Sequence, residues 1–365
     1  MKNRLADLEI STPGRVCLFG EHQDYLNLPI IASAISLRVS VEGRRRDDAN
    51  VIIQLPDINS RVTFSLDAPI SYENDRDYLK SSVNVLRRHG LKFSRGIDCI
   101  VAGKIPINAG TSSSSALVVA WINLLARMSD HSVSLSPERI AEYAYEAEVL
   151  EFAEPGGMMD QYSTAIGGII FLDSSPEIRV RKLNAKLSRF VLGNSGEPKD
   201  TKFILARVKG QIQRVVQELR KSHPELSLRM ISESEIDGYS KTLTEEQVEL
   251  LRGTIRNRDI TMRALKALDE TTLNHKLIGT LLNDHQKVLR EVLKISTPKI
   301  DRMIEASLNA GAYGAKINGS GGGGCMFAYA PKDPQKVKEA IEKEGGDAYI
   351  IAVDEGTRVS VMEAD

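Results

Sequence analysis

The chain has 365 residues, with 48 basic and 49 acidic side chains and a formal net charge of -1. Apolar residues make up 42%, which excludes a disordered chain and suits two ordinary domains. The charge balance argues against a nucleic-acid partner, which calls for a basic excess or stripe.

No uninterrupted apolar stretch reaches membrane-spanning length, and Met-Lys-Asn-Arg-Leu-Ala-Asp at the N-terminus lacks the apolar core of a signal peptide. Cys17, Cys99 and Cys325 are far apart without CxxC spacing, so they form neither a disulfide framework nor a zinc cluster. A cytoplasmic protein with no membrane partner is expected. Oligomeric state, monomer or homodimer, stays open.

In chain order, residues 15–19 read as a strand broken by Gly20, followed at once by Glu21, His22 and Asp24. Ionisable groups just past a strand end often line a site. Adjacent residues on an extended chain point to opposite faces, so these three do not converge on one metal ion. Hydrogen bonding to a polyhydroxylated ligand suits them better, with an ordinary charged turn as the plain alternative. Residues 29–42 read as one long strand. Two more, 51–55 and 61–66, flank a Pro-Asp-Ile-Asn-Ser turn. A helix over 77–89 ends at Gly90.

The stretch from Gly103 to Leu117 closes a strand (97–105), turns through Pro106 and Gly110, and opens a helix behind Thr111, Ser112, Ser113, Ser114 and Ser115. A helix N-terminus has free N–H groups and a partial positive charge, so it can hold an anion. One serine suffices as a cap; four in a row exceed that need. The run is not a Walker A loop, because Lys104 precedes Gly110 and no Gly-Lys-Ser/Thr follows. Ser136, Pro137 and Glu138 then start a helix carrying Glu142, Glu146, Glu148 and Glu151. Glu154 to Gln161 breaks it, and Gly156-Gly157 permits close backbone approach to a ligand. Asp160 reads either as a site carboxylate or as the N-cap of 161–166. Gly167-Gly168 leads into a buried strand, 169–172.

A boundary falls between Asp173 and Phe190, where Ser, Pro and Lys become frequent. Beyond it the pattern predicts helices over 204–221, 244–252, 258–267, 272–294 and 300–310. Residues 314–328 read as strand, glycine loop (Gly319, Gly321, Gly322, Gly323 and Gly324) and strand, as for backbone passing close to something else. A helix (334–344) and two short strands (348–353 and 357–362) close the chain.

Three of these stretches together resemble the GHMP sugar and metabolite kinases. Gly14 to Tyr25 resembles the galactokinase branch's Gly-Arg-x-Asn-Leu-Ile-Gly-Glu-His-x-Asp-Tyr, departing mainly at Cys17 and Phe19. The serine run resembles the family's Pro-x-x-x-Gly-Leu-x-Ser-Ser, with Thr111 in place of Leu. The glycine run resembles its third motif. Met159-Asp160-Gln161, Leu282 to His285 and Ser296 to Asp301 are similar to further stretches of that branch, collinear over nearly the whole chain.

The resemblance implies a two-lobed α+β fold, the first lobe (1–185) of the ribosomal-S5-domain-2 type and the second (186–365) ferredoxin-like, with the site between them. It implies an ATP-dependent kinase for a small-molecule substrate, most simply at the anomeric hydroxyl of galactose or a related sugar, with another sugar, a sugar acid or a polyol as the alternative. Gly110 to Ser115 would wrap the ATP phosphates, Ser114 and Glu148 would hold Mg²⁺, and Tyr78 would lie near the adenine. Asp160 would face the reacting hydroxyl, paired with Arg15, while Glu21, His22, Asp24 and Gly157 would contact the sugar. The reading of another class is a sugar and ATP sensor without turnover.

Overall fold

A computed structural model describes residues 7–107 and 109–361. Asn108 of the loop before the serine run, and residue 362 of the expected last strand, lie outside them.

The first sheet is built from β1 (Leu8–Phe19), β2 (Ile30–Arg45), β3 (Asn50–Leu55), β4 (Ser60–Ser65), β5 (Ile97–Gly103), β6 (Ile169–Asp173) and β7 (Arg179–Leu183). Its main path runs β1-β2-β5-β3-β4, and β6 pairs with both β2 and β7. Helices α1 (Tyr78–Arg88), α2 (Ser113–Met128), α3 (Pro137–Tyr145) and α4 (Met159–Ile166) pack around it. Among them α2 is apolar nearly all round, so it runs through the core rather than over it; Trp121 on it is fully buried and its indole N–H donates to Leu79 O at 3.0 Å.

The second sheet is antiparallel, in the order β11-β8-β10-β9, from β8 (Phe190–Asn194), β9 (Gly314–Ile317), β10 (Cys325–Tyr329) and β11 (Asp347–Ile351). Helices α5 (Thr201–Arg220), α6 (Glu245–Asp269), α7 (His275–Glu291), α8 (Pro298–Asn309) and α9 (Pro334–Lys343) belong to this half.

β1 is the seam between the halves. Cys17 faces the core under α2, whereas Val16, Leu18 and Phe19 join Phe190, Leu192, Phe327 and residues of α6 and α7. A strand covered on both faces reads as a continuous apolar run, which is what residues 16–19 present. This seam holds the Arg15 end of β1 rigidly against the second half.

Four differences from the sequence reading have physical causes. The two helices expected over 244–252 and 258–267 are one, Glu245–Asp269, which runs through Gly253: a Cβ there would come within 2.6 Å of Val292, so the glycine admits α7's C-terminal neighbour. β7 falls in the stretch read as a boundary, and β8 lies just past it where no strand is expected; β7 is a polar edge strand, and β8 is short and buried, so neither shows an alternating pattern. The last strand, β12 (Arg358–Val361), does not close the second half; it crosses back to pair antiparallel with β1. Finally, α3 does not run on regularly through Glu151: residues Glu146–Leu150 form a π turn.

Candidate functional site

One cleft of about 1010 Å³, including its open mouth, lies between the two halves. It brings together residues as far apart in sequence as Arg15 and Ser320.

At its centre is the ion pair that β1 and α4 create. Arg15 is buried on β1 and donates from Nε at 2.8 Å and Nη2 at 2.7 Å to the same oxygen of Asp160. Its remaining nitrogen, Nη1, donates to Gly110 O. Asp160 is not a helix cap: α4 starts at Met159 with Met158 in the cap position, and the Asp160 side chain is 31% exposed into the cleft. One carboxylate oxygen is therefore fixed while the other is open to an incoming hydroxyl.

Beside it stands the α2 N-terminus. Ser112 occupies the N-cap position at φ 60° and makes no capping hydrogen bond. Its buried Oγ has no partner among the described residues. An orphaned buried hydroxyl is costly unless a ligand completes it. Gly110 and the four serines line the cleft, whereas Thr111 does not: its side chain is buried against Pro106 O and its carbonyl accepts from Arg15 N at 3.2 Å.

Glu148 reaches the same wall because of the π turn, a device often found at functional sites. Its carboxylate is buried, accepts from Gln161 Nε2 at 2.7 Å and forms no ion pair among the described residues. Burial pushes its pKa up, partly offset by hydrogen bonding from Ser115, Ser114 and Gln161. A buried carboxylate facing serine hydroxyls, without a cation, fits a Mg²⁺ that would take its other ligands from phosphate and water. Tyr78 lies at the far end, on the α1 N-terminus, edge-on to Phe152 at 5.6 Å between ring centroids. Arg76 beside it is held bidentately by Glu154, both bonds 2.8 Å.

The first motif divides in the structure. Asp24 faces the cleft: its two oxygens accept from Tyr25 N at 2.9 Å and Met159 N at 3.3 Å. Desolvation, then the nearby Asp160 charge, push it up to about 6. Gly157 makes this possible, since a Cβ there would sit 2.0 Å from Asp24 Oδ2. Glu21 and His22 reach the cleft wall, but their polar atoms are committed to protein. Glu21 is buried, paired with Lys316, and accepts from Gly319 N at 2.9 Å. The His22 ring bonds Tyr25 Oη at 2.6 Å and Ser320 O at 3.1 Å. A carbonyl can only accept, so Nε2 carries the proton and Nδ1 accepts from the tyrosine. Burial lowers this histidine to about 4, so it is neutral near pH 7. Together they clamp the first motif to the glycine loop.

That loop does close-packing work. Gly319 and Ser320 line the cleft. Gly321, Gly322 and Gly323 do not; all have positive φ, and their missing Cβ atoms leave room for Ile295, Ile204 and Glu197 O respectively. The loop's approach is to the turn that leads into α2: Cys325 N donates to Ala109 O at 2.8 Å and Asn318 Nδ2 to Gly110 O at 2.7 Å. Lys316 and Lys199 escaped the sequence reading, being single lysines in ordinary contexts.

All three cysteines are free and buried, and no helix of the described residues is long and apolar enough to cross a membrane.

Three family patterns match the chain: a galactokinase galactose-binding signature over residues 5–45, the GHMP kinases N terminal domain over 77–168 and GHMP kinases C terminal over 264–347. Mevalonate kinase of Pyrococcus horikoshii is 31% identical, over 96% of each chain. Galactokinase of Mannheimia succiniciproducens is 26% identical, over 95% of this chain and 90% of its own. The fold is shared with the crystal structure of Lactococcus lactis galactokinase complexed with galactose, at a TM-score of 0.84 and 22% identity, over 96% of this chain and 95% of that one.

Proposed function

The chain belongs to the GHMP kinase family, and from that footing we propose that it phosphorylates a sugar hydroxyl with ATP, most simply the anomeric hydroxyl of galactose or a related sugar. The observation that carries this reading is Asp24, a carboxylate facing the cleft near Asp160 and accommodated only because residue 157 is glycine. Carboxylates accept hydrogen bonds from sugar hydroxyls. The galactose-binding signature over residues 5–45 supports it.

The reaction asks for positioning and charge neutralisation more than covalent help. The acceptor oxygen forms a bond to the terminal phosphorus of ATP. The bond from that phosphorus to the bridging oxygen breaks, and its electron pair leaves with ADP. Asp160 orients the acceptor hydroxyl and receives its proton, while Arg15 keeps the carboxylate in place. The α2 N-terminus and its serines receive the phosphate chain. Ser114 and Glu148 would hold Mg²⁺, which supplies charge neutralisation at the phosphate oxygens.

A second reading, a mevalonate-type hydroxy acid, is favoured by the 31% identity to a mevalonate kinase. Asp24 speaks against it, because a carboxylate in the acceptor wall repels an acidic acceptor. The test is ADP release with a panel of hexoses, sugar acids, polyols and mevalonate, with the phosphorylated position read by NMR. Turnover on a hexose at C1 is expected. Turnover on mevalonate alone overturns the sugar reading, and sugar and ATP binding without any turnover turns it into a sensor.

A further inference from the structure

The proposed phosphoryl transfer brings a highly charged anion into the cleft, so the cations lining it can be asked one by one what they are free to do. There are three: Arg15, Arg76 and Lys199. Arg15 spends three of its five N–H donors on Asp160 and Gly110 O, and its charge is paired with that carboxylate. Arg76 is held bidentately by Glu154, beside Tyr78. Lys199 differs. It sits two residues before α5, half-buried, and its ammonium donates to one neutral group, Ser320 Oγ at 3.1 Å. It forms no ion pair among the described residues. An ammonium has three N–H donors, so this one retains two.

Its position is specific. A Cβ on Gly110 would lie 2.8 Å from Lys199 Nζ, so the ammonium rests on the loop that leads to the α2 N-terminus. Among the groups acting on it electrostatically are Arg15, Cys325 and Asp160, so it sits within reach of the ion pair at the centre of the cleft. Desolvation, more than Arg15, brings it down to about 8, which leaves it mostly protonated at pH 7. Two residues along the same loop, the Ser112 hydroxyl is buried without a partner among the described residues. A donor-rich cation on Gly110 and an unpaired hydroxyl two residues on outline a site for anionic oxygens.

We propose that Lys199 is a catalytic residue that donates N–H hydrogen bonds to the oxygens of the transferring terminal phosphoryl group. This rests on the kinase reading of the cleft. The lysine keeps its three protons throughout; the proton of the acceptor goes to Asp160, and the electron pair of the broken P–O bond goes to ADP. Lys199 thus meets the transferring group from the second half of the chain, across from Ser114 and Glu148 in the first.

The test compares wild type with Lys199→Met and Lys199→Gln, which remove the charge at similar length. Calorimetric binding of a non-hydrolysable ATP analogue and of ADP, each with Mg²⁺, is measured beside steady-state kinetics on the panel's best acceptor. The variants are expected to lose roughly tenfold in affinity for the analogue but not for ADP, as befits a charge-assisted hydrogen bond to the terminal phosphate. Loss of kcat should be roughly 100-fold, the scale of removing one preorganised donor. Unliganded melting temperatures near wild type show that the fold is intact, since Ser320 Oγ is the one hydrogen-bond partner lost among the described residues. If both variants keep the wild-type preference for the analogue over ADP, the proposal is overturned while the kinase reading stands. If instead only the acceptor KM rises, Lys199 belongs to the acceptor wall and the proposal is likewise overturned. Wild type that turns over no acceptor removes the kinase reading and, with it, the catalytic role.

Discussion

Lys316→Met tests whether Glu21 is a clamp or a sugar contact. Lys316 is 0% exposed and Glu21 1%. The ammonium donates to Glu21 Oε2, to Cys17 O at 3.0 Å and to Ile317 O at 2.9 Å. Methionine keeps a similar stem but removes every one of these donors. The Glu21 carboxylate is then left in the interior with the Gly319 N–H as its remaining partner. Removing one member of a buried ion pair costs about 3–5 kcal/mol. That is a large part of the roughly 5–15 kcal/mol by which domains are stable. Guanidinium unfolding followed by circular dichroism measures it. The double variant Glu21→Gln with Lys316→Met leaves neutral groups on both sides and an acceptor for Gly319 N. It should be more stable than the single Lys316→Met variant by about 2 kcal/mol, within the range of couplings between contacting residues. A loss below about 1 kcal/mol for the single variant, or a double variant at the simple sum of the singles, refutes the clamp. A normal unfolding curve with a raised acceptor KM for Glu21→Gln would return Glu21 to the sugar.

Four further outcomes are expected. Asp160→Asn should keep ATP binding, measured by calorimetry, and lose most turnover, because the neutral amide no longer receives the proton; wild-type turnover would remove Asp160 from the chemistry. Glu148→Gln should raise the Mg²⁺ concentration needed for half-maximal activity, and an unchanged Mg²⁺ dependence would place the ion elsewhere. Gly157→Ala should raise the acceptor KM by roughly tenfold with the ATP KM unchanged, the scale of one charged hydrogen bond lost when Asp24 is displaced. Asp24, pushed up to about 6 by desolvation and Asp160, gains a proton as pH falls through that value. Acceptor kcat/KM should therefore decline below about pH 6, and Asp24→Asn should lack that inflection.

Local chemistry was legible in the sequence. The serine run before an apolar helix, the glycines at 156–157 and 319–324, and the residues Arg15, Asp24 and Asp160 stand in short motifs, whereas Glu148 is singled out among the glutamates of its helix by the family resemblance alone. Such motifs depend on hydrogen bonds and steric limits between near neighbours, so order alone expresses them. The helix capped by Ser136 was equally readable, since that cap bonds the backbone three residues on.

Long-range packing decided the rest. Arg15 and Asp160 are 145 residues apart, and Glu21 and Lys316 are 295 apart. Glu21 and His22 look like ligand groups until the second half covers them and takes up their polar atoms. Gly321 to Gly323 read as backbone passing close to something else, and only the fold identifies those neighbours as Ile295, Ile204 and Glu197. Lys199 and Lys316 carry no local signal. What distinguishes them is the company of a buried carboxylate in one case and its absence in the other. Desolvation and pairing are properties of what surrounds a side chain, and those surroundings come from the other half of the chain. The sequence therefore carried the short motifs of the cleft, while only the tertiary structure divided their residues between those that face the open cleft and those that hold its walls together.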